Sequence, residues 1–468
     1  MTDGSARSLK FLVPLVPKLL KTGIRHVLKR SETSKYWDLR TAITVRILDI
    51  IINELPPDTL LNTQSRTLKD PGIRGNIWIS KVKLPSPPED SIRQVLFNAI
   101  ESLKKPEEAS GGYTEPELLP VEGEWTGYRA DASAKTQEMK ISEEEKYEKM
   151  MSEVTSKITI LYIHGGALFL CDPITHRNVS QKLAKLTGGR AFSVRYRLAP
   201  QNPFPAALLD VLFAYMSLLY PPPGSLHTAV SPSDIVIAGD SAGGNLSLAL
   251  LQLILEIQRK SLKIAWNGEE RDVPIPAGVA TSSPWLDITS SLPSIIKNQA
   301  YDYLPKREKE YKPCSVWPTD PPRKHMYVND PLATHPLVSP LAAKNWNGSC
   351  PVYIATGWEI LVDENKIGAT HIASQDIKVI LDEYEAMPHC FGIVLSKLPA
   401  SDTFFRNWAH NIKLMVDSPQ DLVTTGTLIK AKTLATEPLD MLKLSDITQE
   451  KAVDMMNEKV IQDKSKSS

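Results

Sequence analysis

The sequence predicts an α/β fold: a mostly parallel central sheet with helices on both faces and a helical cap. Three observations carry this. Short apolar runs at 158–163, 235–238, 351–357 and 377–384 alternate with helical stretches, the pattern of a parallel sheet covered on both sides. Two of the runs lead into glycine-rich turns, His164-Gly165-Gly166-Ala167 and Gly239-Asp240-Ser241-Ala242-Gly243-Gly244. Two helical stretches, at about 36–62 and 90–104, precede the sheet and supply material for the cap.

Taken in order, residues 1–115 read as an N-terminal basic segment with part of the cap. No acid occurs from Gly4 to Ser31, whereas Arg7, Lys10, Lys18, Lys21, Arg25, Lys29 and Arg30 alternate with Phe11-Leu12-Val13 and Leu19-Leu20. The apolar stretch is short, is interrupted by Pro14 and Pro17, and lacks a small-residue cleavage site, which argues against a secretory signal. A basic amphipathic segment can lie on an anionic membrane surface, so a peripheral membrane contact through residues 7–30 is one expectation. A docking segment for the cap and a mitochondrial transit segment are the alternatives. The expected location is intracellular, cytoplasmic or peripherally membrane-associated, because no run approaches the 18 or so apolar residues of a membrane span. The helix at 36–62 is ended by Pro56-Pro57.

Residues 116–412 form the α/β domain, with its first strand at 124–129. Residues 131–156, centred on Glu143-Glu144-Glu145-Lys146, read as a solvated charged insertion, helical or disordered. Residues 287–336 read as a cap insertion. Its Tyr301, Tyr303, Tyr311, Trp317 and Tyr327 either line a pocket or pack the cap to the core. Residues 413–468 are a polar C-terminal extension outside the core, with a helix near 448–460.

Lys+Arg and Asp+Glu are equal at 54 each, so the chain has no global field for nucleic acid. Cys171, Cys314, Cys350 and Cys390 show no C-x-x-C or metal spacing and read as reduced thiols. The chain carries no metal-ligand cluster, phosphate loop or dinucleotide fingerprint, and neither a metal nor a cofactor is expected. Oligomeric state is not legible.

The chemistry centres on Ser241. A strand, a G-x-S-x-G turn and a helix place a serine at a strained, exposed apex. The Gly-Gly turn after the 158–163 strand offers backbone N–H groups of Gly165 and Gly166, joined by that of Ala242, to hold a developing oxyanion. His164 reads as a residue that positions this loop. Downstream of the 351–357 strand, three acids compete to orient a base: Glu359 has the favoured spacing, Asp363 is the alternative, and Glu364 suits the first turn of a helix. His389, in the loop after the 377–384 strand, is the candidate base. His371 and His410 fall on helices, His176 precedes the helix after the glycine loop, and all three read as surface or packing residues. Serine, acid and histidine in this chain order can run nucleophilic acyl transfer.

Several further motifs carry a resemblance. They are Tyr196-Arg197-Leu198-Ala199-Pro200 with Pro203-Phe204-Pro205-Ala206, Ser283-Pro284-Trp285-Leu286-Asp287, Glu359-Ile360-Leu361-Val362-Asp363-Glu364 and His389-Cys390-Phe391. Together with the two glycine-rich turns, they make the chain resemble the hormone-sensitive-lipase-like branch of the α/β-hydrolase fold over residues 120–412, and it is similar to the larger fungal members. The resemblance implies a serine carboxylic-ester hydrolase with a Ser241–His389–Glu359 triad. Its implied substrates are small-molecule esters with short-to-medium acyl groups, acetyl included, on a bulky apolar alcohol. Lipase-like or amidase/peptidase activity on the same triad and a non-catalytic membrane-associated scaffold are the alternatives. The chain departs from the family pattern at Glu359, where aspartate is usual, at Ala167, where a third glycine is common, and at Gln201, where a glutamate often stands.

Overall fold

A computed structural model describes residues 15–105, 112–306 and 309–467. Arg7, Lys10 and the Phe11-Leu12-Val13 run lie outside the described residues. The strands are β1 (Ile77–Leu84), β2 (Val121–Tyr128), β3 (Thr159–Ile163), β4 (Arg190–Arg195), β5 (Ile235–Asp240), β6 (Ile264–Trp266), β7 (Glu269–Arg271), β8 (Gly278–Ser282), β9 (Val352–Gly357), β10 (Val379–Tyr384), β11 (Thr425–Ile429) and β12 (Thr436–Leu439). Ten of them form one sheet in the order β1-β2-β4-β3-β5-β8-β9-β10-β11-β12, and β6 and β7 make a separate hairpin. The pairings from β4 through β11 are parallel. Only β1/β2, β2/β4 and β11/β12 are antiparallel in this sheet.

The continuous apolar character of the central strands follows from burial on both faces. In β3, Leu161 and Ile163 point to one side, with the helices Ala206–Leu219 and Ala242–Arg259. Ile160 and Tyr162 point to the other, with Pro173–Thr187 and Pro399–Asp417. The same alternation splits β5 (Ile235 and Ile237 against Val236 and Ala238) and β9 (Val352 and Ile354 against Tyr353 and Ala355). Each fully buried Leu, Ile or Val among them contributes roughly 1.5–3 kcal/mol.

The sheet extends beyond the expected boundaries of 116 and 412. It begins one strand early, at β1, where the alternating stretch Lys81-Val82-Lys83-Leu84 pairs with β2. It also ends two strands late, since β11 and β12 lie in the segment expected to stand outside the core. The expected boundary at 412 falls inside helix Pro399–Asp417, and the last helix, Gln449–Ser467, docks through Gln449 Nε2, which donates to Leu341 O at 2.9 Å. The charged stretch 131–156 contains helix Glu143–Glu153, started by a Ser142/Glu145 capping box. It is not merely a solvated insertion: Tyr147 and Met150 are buried in the core.

The segment at 36–62 divides as its prolines require. Helix Leu39–Asp49 is N-capped by Asp38, which accepts from Thr41 N–H at 2.7 Å, and helix Leu60–Thr67 starts after the break, capped by Thr59. This second helix lies on the Gly-Gly loop: Gln64 Nε2 donates to Phe169 O and Ala199 O, both at 2.9 Å, and Cys171 N–H donates to Thr67 Oγ1 at 3.0 Å. Lys306 of the 287–336 insertion pairs with Asp49 at 2.9 Å. The N-terminal helices and the insertion thus meet above the C-terminal ends of the parallel strands.

Candidate active site

Ser241, Glu359 and His389 follow the C-terminal ends of β5, β9 and β10, where open parallel sheets hold their ligands. Ser241 has φ 53° and ψ −120°, a conformation that costs a side-chain-bearing residue roughly 1–3 kcal/mol. The turn is possible because its glycines meet backbone: a Cβ on Gly243 would lie 1.9 Å from Ile163 O, and one on Gly239 would lie 2.5 Å from Gly243 O. Ser241 is partly exposed at the start of helix Ala242–Arg259.

Glu359 and His389 are in direct contact through Oε2 and Nδ1, both buried. The other Glu359 oxygen accepts from Thr356 Oγ1 at 2.9 Å and from Gly357 N–H at 3.2 Å. Burial alone raises a carboxyl, but the His389 charge and the side-chain hydrogen bonds of His389, Ser283 and Thr356 outweigh it, and Glu359 is held below its usual range. Burial likewise opposes the imidazolium of His389, yet Cys390 and Glu359 beside it push the group well above its ordinary value. The Cys390 thiol is itself held up at about 11 by burial, so at neutral pH it is uncharged and the Glu359 carboxylate supplies the charge. Asp363 is not at the histidine. Its Oδ2 accepts from Ser294 N–H at 2.8 Å, in the first turn of helix Val362–Ala373. Glu364 accepts from Leu286 N–H at 2.6 Å.

Ser241 Oγ makes no hydrogen bond among the described residues, and the atom beside His389 Nε2 is Cys390 Sγ, at 3.4 Å. The end of β8 ties the two loops together. Ser241 N–H donates to Ser282 O at 2.9 Å, and Cys390 N–H donates to Ser283 Oγ at 3.1 Å.

The oxyanion expectation needs one correction. Gly165 N–H points at the buried carboxylate of Asp240, 3.3 Å from Oδ1, and a Cβ on Gly165 would meet Oδ2 at 2.4 Å. Gly165 is therefore a close-packing glycine whose N–H is already taken. The N–H groups of Gly166, Ala167 and Ala242 have no partner among the described residues. Gly166 has φ 115°, and Ala167 has φ 53°, so the loop turns its backbone over immediately after Gly165. His164 is buried and held down at about 4, chiefly by burial, hence neutral. It stacks on Tyr196 with centroids 4.2 Å apart, and Tyr196 O–H donates to its carbonyl at 2.8 Å.

Two further residues belong to the site. His176 is not a surface residue: it is buried, with Nε2 3.3 Å from Asp240 Oδ2, and Tyr162 O–H donates to Oδ1 at 2.5 Å. Burial pulls His176 down, but the Asp240 charge more than offsets it, and the net shift is upward. Asp302, in the insertion, ties the acid loop to the base loop. Its Oδ2 accepts from Ile360 N–H at 2.8 Å, and its Oδ1 accepts from Tyr303 N–H at 2.7 Å and His389 N–H at 3.4 Å. Tyr303 O–H donates to His389 O at 2.8 Å. Tyr301 packs against Tyr36, Trp37 and Trp358, and Tyr327 against Phe204. These three tyrosines pack the insertion down onto the core.

A family profile described as the alpha/beta hydrolase fold matches residues 160–393. An esterase of Acinetobacter venetianus is 31% identical over 253 residues, spanning 54% of this chain and 73% of the relative. An acetyl-hydrolase of Streptomyces hygroscopicus is 28% identical over 232 residues, spanning 49% and 67%. Among solved structures, a hormone-sensitive lipase from a metagenome library superposes with a TM-score of 0.53 at 24% identity, covering 79% of this chain and 97% of that one, a likeness of fold.

Proposed function

The chain belongs to the alpha/beta hydrolase fold family and is a carboxylic-ester hydrolase, and from that premise we propose that it cleaves short-to-medium acyl esters, acetyl included, of a bulky apolar alcohol. Ser241 is the nucleophile, His389 the base and Glu359 the residue that orients and charges the base. The observation that carries this reading is the buried Glu359–His389 contact, on loops tethered by β8 to the turn that presents Ser241.

In acylation, His389 Nε2 takes the Ser241 proton as Oγ attacks the ester carbonyl. Glu359 holds the other ring nitrogen as a donor and stabilises the imidazolium. The negative charge on the tetrahedral oxygen falls to the N–H groups of Gly166, Ala167 and Ala242, each a fixed backbone dipole. Imidazolium then protonates the leaving alcohol, and water repeats the cycle on the acyl-serine. The acetyl preference draws on the acetyl-hydrolase among the relatives.

The test is hydrolysis of p-nitrophenyl esters from acetate to palmitate by the wild type and by Ser241→Ala. The expected result is a serine-dependent optimum at short acyl lengths. Rates that climb to palmitate overturn the acyl assignment, and Ser241→Ala turnover equal to wild type overturns the nucleophile.

A further inference from the structure

The first described helix, Val16–Val27, is fastened to the body along one side only. Leu15 and His26 are buried, and His26 Nε2 lies 3.2 Å from Trp37 O. Trp37 is locked in turn, its Nε1 donating to Ala386 O at 2.6 Å, in the loop that leads to His389. Lys18 pairs with Glu54 at 2.5 Å.

The rest of the helix faces solvent, in two strips. Val16, Leu20, Ile24, Val27 and Leu28 are exposed by 45%, 60%, 59%, 66% and 56%. Their spacing of three and four residues puts them on one continuous stripe. Isolated exposed apolar side chains need no explanation, but an aligned stripe marks a contact surface. At about 100° per residue, Lys18, Lys21 and Arg25 fall side by side along one edge of that stripe, between it and the buried face. Lys29 and Arg30 continue the charge beyond the helix, both exposed. No acidic residue occurs from Gly4 to Ser31. Among the described residues, Lys21, Arg25, Lys29 and Arg30 form no salt bridge, whereas Lys18 does.

Apolar stripe, basic edge and absence of acid together are the profile of a helix lying in the plane of a lipid interface. A groove for an apolar protein partner would not need the unbalanced positive edge, and an acidic protein partner would not need the stripe. We infer that the helix Val16–Val27 docks this hydrolase on a bilayer that displays anionic phospholipid, with Leu20, Ile24 and Val27 inserted among the acyl chains and Lys21 and Arg25 at the headgroups. The apolar stripe and the basic edge run along the helix axis, which fits attachment in the plane of the interface. The inference does not depend on the catalytic assignments, because none of these side chains touches the site.

The test is co-sedimentation of the full chain with phosphatidylcholine vesicles, with and without phosphatidylserine. Leu20→Ser/Ile24→Ser and Lys21→Glu/Arg25→Glu are compared with the wild type, and circular dichroism establishes that each is folded. All four positions are exposed, so both variants should fold. Wild type should bind the phosphatidylserine vesicles and lose that binding as salt rises. Lys21→Glu/Arg25→Glu should bind at least about thirtyfold more weakly, and Leu20→Ser/Ile24→Ser on the order of a hundredfold more weakly. Failure of the folded wild type to sediment, equal binding to pure phosphatidylcholine, or binding that survives both substitutions overturns the inference. Self-association abolished by Leu20→Ser/Ile24→Ser, without vesicle binding, would assign the stripe to a second copy instead.

Discussion

Replacing Glu359 by glutamine isolates what the carboxylate does for His389. In the wild type, one Glu359 oxygen faces Nδ1 of His389, while the other takes hydrogen bonds from Thr356 Oγ1 at 2.9 Å and Gly357 N–H at 3.2 Å. A glutamine has one acceptor oxygen and one donor nitrogen. The two donors at Thr356 and Gly357 will hold its oxygen, so its NH2 must face Nδ1. The ring then accepts at Nδ1 and carries its proton on Nε2, where it can no longer take the serine proton. A wrong tautomer of this kind costs about 10⁴ in kcat, or about 5.4 kcal/mol of barrier. The pH profile moves as well. Neutral His389 is the active form, so activity falls as pH drops through its pKa. Against burial, Cys390 and Glu359 beside the ring raise that pKa, and the Glu359 share of the rise is lost when the carboxylate becomes an amide. In Glu359→Gln the residual activity should show the limb displaced toward lower pH. Steady-state hydrolysis of p-nitrophenyl butyrate across pH reads both effects. Asp363→Asn is the control: it loses only a contact in a helix's first turn, and kcat should stay within about threefold of wild type. Glu359→Gln with near-normal turnover, or a larger loss in Asp363→Asn, refutes the reasoning.

Asp302→Asn removes one of the two acceptors that bind the Ile360 and His389 loops; kcat should fall about ten- to a hundredfold with KM little changed, the signature of a misplaced base, and unchanged kcat would contradict it. Gly243→Ala forces a methyl to within 1.9 Å of Ile163 O, a backbone clash worth at least about 4 kcal/mol. It should appear as insoluble protein or a collapsed melting temperature. Cys390 is buried, with its thiol held up at about 11, so iodoacetamide at neutral pH should leave activity intact and Cys390 unmodified by peptide mass spectrometry; rapid stoichiometric alkylation there would contradict its burial.

Much of the site was legible because its parts are local. The G-x-S-x-G turn, the glycine loop after β3, and the order of Ser241, Glu359 and His389 each depend on a strand end and a few neighbouring residues. What escaped depends on distant partners. Gly165 looks like a donor until Asp240, 75 residues away, claims its N–H. His176 looks like one more surface or packing histidine until the same carboxylate is seen beside it. Asp302 lies between the short helical turns Ser294–Lys297 and Asp330–Leu332 of the insertion, and nothing near it in sequence signals that it caps the Ile360 and His389 loops. The outermost strands escaped for a different reason. Beside the doubly buried central strands, β12 and the start of β11 carry exposed residues such as Thr425, Thr436 and Glu437. An edge strand covered on fewer sides has a weak apolar signature.

The central claim is that Ser241 is an activated nucleophile. Intact-mass analysis after treatment with a fluorophosphonate tests it without requiring the natural substrate. The account predicts one adduct on the folded wild type, mapped to the peptide containing Ser241, and none on Ser241→Ala. An unlabelled folded wild type, or equal labelling of Ser241→Ala, would contradict it.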